Sequence, residues 1–160
     1  MDIVTRKLGS TGLDVTVLGY GAMELRGPKS PIPKGRPVDP VQAETTLNVA
    51  LDHGIKLIDT SIDYGESESL IGRFISHRRN EFLLASKCGC NADTDGVEAG
   101  NAPRHIYTRE NIINGVELSL KRLNTDYLDL LQFHGSPPPE SREEAVQALL
   151  DLKQDGKTRF

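Results

Sequence analysis

Four ionisable side chains fall at or just beyond the ends of short apolar runs. "KLID" ends in Asp59, and Tyr64 follows it in "TSIDYG"; "FLLASK" ends in Lys87 and "YLDLLQFH" in His134. A tyrosine is a poor acid at neutral pH, but a nearby lysine ammonium favours the phenolate. A carboxylate beside the lysine keeps it charged and fixed in position. A histidine within hydrogen-bond reach can hold or polarise a carbonyl oxygen. Together the four would form a proton donor for an oxygen that is becoming an alkoxide. The set lacks an electron source, and a nicotinamide hydride would fill that gap.

Each residue also has a plainer reading on its own. Asp59 could start the next element, Lys87 be a surface charge, Tyr64 an edge aromatic and His134 structural. Four such residues in order, each at a strand's carboxyl end, favour a site over four coincidences.

The elements that must position them alternate. Residues 1–20 read as a hairpin, with a Gly/Ser/Thr turn at 9–12 and alternating Leu13, Val15 and Val17. "GPKSPIPKGRPVDP" (27–40) reads as a loop. Asp39 and Pro40 open a helix with Leu47, Ala50 and Leu51 on its apolar face, and Gly54 stops it. "KLIDTS" reads as a strand and "ESLIGRFISH" as a helix carrying Leu70, Ile71, Phe74 and Ile75. "FLLASK" is the next strand, followed by a long polar loop over 89–107. Thr108 caps a helix with Ile112, Ile113, Val116, Leu120 and Leu123 inward and a Glu117–Lys121 pair outward. "YLDLLQFHG" is a strand, "SREE" a capping-box start for a helix with Ala145, Val146, Leu149 and Leu150, and "KTRF" the start of one more strand.

Repeated strand–helix alternation implies parallel βαβ units, either doubly wound or in a (β/α) barrel. The spacing of the runs at Lys56, Phe82 and Tyr127 would need roughly 280 residues for eight units, so 160 residues supply about half a barrel. In such folds the active face lies at the carboxyl ends of the strands.

At 160 residues, 37% apolar and 26% charged, the chain fits a single packed domain spanning 1–160. A net charge of −4 and the absence of a basic block argue against nucleic acid or an anionic membrane as partner. The N-terminus lacks an apolar leader and no run approaches membrane-spanning length, so a cytoplasmic protein is expected. Cys88 and Cys90 in "KCGC" are too close to bridge and have no second pair for zinc, and the histidines do not cluster in sequence. No metal is expected, and the thiols read as reduced. "GYGAME" carries only part of a dinucleotide fingerprint, and no Rossmann site is assigned. Asp63 reads as a solvated loop carboxylate.

"KLIDTSIDYG", "ASKCG", "TRENIINGVELSLKRLNTDYLDLLQFHG" and "GKTRF" resemble the aldo-keto reductases, over about residue 7 to the last. The resemblance implies a (β/α)8 TIM barrel, here its N-terminal half: a hairpin plugging the bottom, then four βα units. It implies NADPH-dependent reduction of an aldehyde or ketone, a small-molecule carbonyl substrate, and a catalytic tetrad of Asp59, Tyr64, Lys87 and His134. Gly21, Ala22, Met23 and Asp59 would lie against the cofactor. The family's second half, which supplies the Ser-Asn pair, the nicotinamide-stacking tyrosine and the 2′-phosphate loops, has no counterpart in these 160 residues.

An open half-barrel would leave edge strands and one sheet face uncovered. Self-association, pairing with a complementary C-terminal half, or membership of a longer protein is therefore expected. The alternative is a catalytically incomplete half-barrel that acts as a binding or regulatory module.

Overall fold

The computed structural model describes residues 3–28, 35–94 and 105–160. The middle of the expected 27–40 loop and residues 95–104 of the expected 89–107 loop lie outside the described residues.

The chain opens with an antiparallel hairpin, β1 (Thr5–Lys7) and β2 (Asp14–Thr16), joined through the anticipated turn. Four strands then form one parallel sheet in chain order: β3 (Tyr20–Gly21), β4 (Leu57–Asp59), β5 (Leu83–Cys88) and β6 (Leu130–Phe133). Helices α1 (Pro40–Asp52), α2 (Ser67–Ile75), α3 (Arg109–Leu123) and α4 (Arg142–Gln154) lie between and after them. A strand order that follows chain order, with helices as crossovers, is the winding of a (β/α) barrel, here in part. The hairpin meets the sheet at its amino end, where the Lys56 amide donates to Thr16 Oγ1 at 2.9 Å. After α4, Thr158 bridges Leu128 in parallel and the Leu131 amide donates to the Phe160 carbonyl. "KTRF" thus extends the sheet, as its sequence suggests.

The pleat separates two faces. Ile58, Leu84, Ser86, Cys88 and Leu131 are buried under the helices. Their neighbours Leu57, Asp59, Lys87 and Leu130 are half-buried on the opposite face, and Gln132 is exposed. Under the helices, Leu47, Leu51, Ile71, Ile75, Ile112, Val116, Leu120 and Leu123 make one continuous core. α2 and α3 approach closely because position 72 is glycine: a Cβ there would sit 2.1 Å from the Arg122 carbonyl oxygen.

Local signals are realised unevenly. Asp39 Oδ1 accepts from the Val41 amide at 2.9 Å and Thr108 Oγ1 from the Asn111 amide at 3.4 Å, so α1 and α3 are capped as expected. The capping box expected at Ser141 does not form. Ser141 has helical backbone angles after a short 3-10 turn (Pro139–Ser141) and makes no side-chain cap bond. Its expected partner Glu144 instead accepts from the Arg109 amide at the start of α3. Glu117 pairs with Lys157 at 3.1 Å rather than with Lys121. The expected apolar face of α4 is also split: Ala145 is buried, while Val146 (43%) and Leu150 (54%) are exposed. Among the described residues no helix is long and apolar enough to cross a membrane.

Candidate active site

The strand registers explain why residues far apart in sequence share one face. Asp59 pairs with Ala85, and Lys87 lies two residues further along β5, on the same face. Lys87 in turn pairs with Gln132, and His134 lies two residues beyond it. Each step of one strand is a step of two residues toward the carboxyl end, the stagger of a tilted barrel.

Lys87 Nζ donates to Asp59 Oδ2 at 2.7 Å and to the Thr60 carbonyl at 2.8 Å. It also lies 5.0 Å from the centroid of the Tyr64 ring. The His134 ring meets Tyr64 edge-on with centroids 5.6 Å apart. All four residues expected to carry the chemistry therefore stand together. Lys87 is 15% exposed and Asp59 38%, so the group opens to solvent on one side.

Tyr64 is held by its loop. Its amide donates to the Ser61 carbonyl, its carbonyl accepts from the Ser67 amide, and Arg122 of α3 donates to the Ile62 carbonyl at 3.1 Å. Ser67 Oγ donates to the Ala22 carbonyl at 2.9 Å, tying this loop to the turn after β3. Of the residues expected near a cofactor, Gly21 pairs with Asp59, and a Cβ at Gly21 would meet no atom within 4 Å. Met23 is partly exposed, whereas Ala22 is fully buried, so its side chain faces protein.

Asp63 is not the solvated carboxylate its loop position suggested. It is 4% exposed, accepts from Ser61 Oγ at 2.7 Å, and lies 3.1 Å from His134 Nδ1. Ser61 Oγ and Cys90 Sγ also stand 3.1 Å from the same nitrogen. Ser61, Asp63 and Cys90 thus surround His134. Sequence reading missed this set because Cys90 reaches it through a tertiary link: Cys90 and His105 form an antiparallel bridge. Asn111 Nδ2 fixes that link by donating to the carbonyls of both Cys90 and Ile106. Cys88, on the other face of β5, has its thiol pushed up to about 12 by burial and is inert. Burial likewise pushes the Tyr107 phenol up, and the ring packs against Gly89, where a Cβ would lie 2.4 Å from Tyr107 Cε1.

Behind the site, Glu68 is completely buried. Ser86 Oγ donates to it at 2.9 Å and Arg122 lies 3.7 Å away. Desolvation outweighs these partners and pushes its carboxyl above the ordinary range.

The Aldo/keto reductase family model matches residues 17–160. An uncharacterized oxidoreductase, YqkF, of Bacillus subtilis (strain 168) is 35% identical over 158 residues, covering 97% of this chain and 46% of that protein. The L-galactose dehydrogenase of Arabidopsis thaliana is 32% identical over 166 residues, covering 99% and 47%. Among solved structures, the holo form of aldo-keto reductase AKR11C1 from Bacillus halodurans superposes with a TM-score of 0.83 at 29% identity, covering 99% of this chain and 49% of that one. The chain spans about half the length of the curated relatives it matches.

Proposed function

The chain belongs to the aldo/keto reductase family, and from that premise we propose that it reduces an aldehyde or ketone to an alcohol with NADPH. The observation that carries this reading is the grip on Lys87: its ammonium is fixed between Asp59 Oδ2 and the Thr60 carbonyl and lies over the Tyr64 ring. No side chain in the group can supply electrons, and NADPH, when bound, supplies hydride to the carbonyl carbon. Its place would be beside Gly21, Met23 and Asp59, with Ala22 fixing the backbone of that turn. The open space at Gly21 fits a bulky group there.

In this reading Tyr64 Oη gives its proton to the carbonyl oxygen. The Lys87 ammonium then stabilises the phenolate left behind, and Asp59 keeps Lys87 aimed. His134 orients the carbonyl, its ring held by Ser61, Asp63 and Cys90. Solvent returns a proton to Tyr64 through the exposed side of the group. The test is Tyr64→Phe. Turnover should fall by about 10²–10⁴-fold, while a fluorescence titration gives NADPH binding unchanged. Survival of turnover would show that the proton comes from elsewhere.

The cofactor site is completed in this reading by further chain across the sheet's open edges, from a complementary C-terminal half or a second copy. The half-buried inner face and the exposed Val146 and Leu150 of α4 support that arrangement. Analytical ultracentrifugation of the 160 residues should show association, and a dispersed monomer with saturable NADPH binding would contradict it. A cytoplasmic location is part of the reading, since reduced Cys88 and Cys90 suit it. Comparing NADPH with NADH in the same titration decides between the two cofactors.

A further inference from the structure

Asp63, Cys90, His105 and His134 each bring one potential ligand atom into a space where all four lie within 4.8 Å of one another. We propose that these residues bind a divalent transition-metal ion of zinc type.

Three lines of geometry and chemistry support this. The first is spacing. A tetrahedral zinc site with bonds near 2.0–2.3 Å places its ligand atoms about 3.3–3.8 Å from one another. His134 Nδ1 already stands 3.1 Å from both Cys90 Sγ and Asp63 Oδ1. Small outward movements, with His105 drawn in, would make room for an ion at the centre.

The second is the donor set. One thiol, two imidazoles and one carboxylate suit zinc or cobalt and are wrong for magnesium or calcium, which want oxygen alone. Asp63 and Cys90 are buried and the two histidines half-buried, so the ligands stand in a largely enclosed place.

The third is preorganisation. The Cys90–His105 bridge and the Asn111 clamp fix two ligands relative to each other. The other two are oriented by neighbours, of which Ser61 Oγ stands among the ligands themselves, 3.1 Å from His134 Nδ1 and 3.9 Å from Cys90 Sγ, and would turn aside for an ion. Ser61 Oγ donates to Asp63, and the His134 amide donates to the Cys88 carbonyl at 3.0 Å. Supporting contacts of this kind are what hold ligands in register for a metal. On binding, the Cys90 thiol loses its proton to solvent, as does His134 Nδ1 where it carries one, and the ion takes the place of those protons.

The test uses metal alone on the full chain under reducing conditions. Cobalt chloride titration should give saturable one-to-one binding, with the visible bands of tetrahedral cobalt and a thiolate-to-cobalt charge-transfer band. Zinc chloride should displace the cobalt with micromolar or tighter affinity. Cys90→Ala and His105→Ala should each weaken zinc by at least about 100-fold, while Cys88→Ala leaves it unchanged. If Cys90→Ala fails to fold by circular dichroism, His105→Gln answers the question alone. Absence of binding at submillimolar zinc, octahedral cobalt spectra, or unchanged affinity in the His105 variants would overturn the proposal. His134 belongs to the carbonyl-reduction reading as well. Asp63 and Cys90 enter that reading by holding the His134 ring, but His105 has no part in it, and the readout is metal binding, so either proposal can fail without the other.

Discussion

The two ends of the parallel sheet each hold an acid–base group, wired in different ways. At the amino end, Asp129 is buried and accepts from three donors: the Leu84 amide at 2.9 Å, Arg79 at 2.7 Å and Arg159 at 2.8 Å. Arg79 spends its remaining donors on the Phe82 and Tyr127 carbonyls and Thr125, and its guanidinium lies over the Tyr127 ring. At the carboxyl end, Lys87 has two acceptors for three N–H groups, and half-buried Asp59 offers Lys87 a single oxygen. The first set is held on nearly every side by backbone and side-chain partners and is a fastener. The second has bonding capacity left over and an opening to solvent, as a group that must engage a substrate requires.

The sharpest way to break this contrast is Lys87→Met. If the carboxyl end is organised for chemistry, carbonyl reduction should fall by about 10³-fold, roughly 4 kcal/mol of barrier. Stability in urea should change by less than about 1 kcal/mol, because Asp59 can take water in place of the amine. A large loss of stability would mean that Lys87 is a fastener as well.

The matching change at the other end is Asp129→Asn. It keeps the shape but leaves Arg79 uncompensated and weakens three bonds. Unfolding free energy should drop by about 3 kcal/mol. Turnover per folded molecule should stay within about twofold, a bound set by the separation of the two ends. Loss of turnover without loss of stability would reverse the assignment of roles.

The contrast also shows what could be read from the chain alone. Asp59, Lys87 and His134 were legible because each closes an apolar run, and a parallel sheet sends all carboxyl ends to one side. The order of elements was legible for the same reason, since strand and helix periods alternate cleanly. Asp63, Ser61, Cys90 and His105 were not legible as a group. Their proximity depends on how two loops fold over the end of the sheet, and no period encodes that. "HRRNE" (77–81) carries two adjacent arginines, yet Arg79 turns inward to Asp129 and Arg78 is matched by Asp52 and Glu81. Charge in a short segment says little about where its side chains end up.

Glu68 offers a smaller effect with a definite sign. Burial raises its folded pKa, so the fold holds this proton more tightly than the unfolded chain does. Its contribution is complete below the unfolded value near 4.3. It is lost as pH rises through the higher folded value, and above that pH a buried charge is left facing Arg122. Glu68→Gln cannot ionise. The stability of the wild type relative to this variant should therefore decline with rising pH in urea titrations at successive pH values. A difference that grows with pH would mean that the Arg122 pair outweighs desolvation.

The smallest effect separates two helix starts that look alike in sequence. Asp39 Oδ1 accepts the Val41 amide, and Asp39 has the extended backbone that a cap needs, so Asp39→Ala should cost about 1 kcal/mol. Ser141 sits in a helical conformation after a 3-10 turn, and its hydroxyl caps nothing, so Ser141→Ala should fall within about 0.5 kcal/mol of the wild type. The Glu144 carboxylate that would have completed the capping box accepts the Arg109 amide instead, linking the starts of α3 and α4. Glu144→Ala should therefore cost more than Ser141→Ala, by removing a partner from a helix terminus in a different element. Thermal melts of the three variants check the order, and an equal loss for Ser141 and Asp39 would mean that the capping box forms in solution.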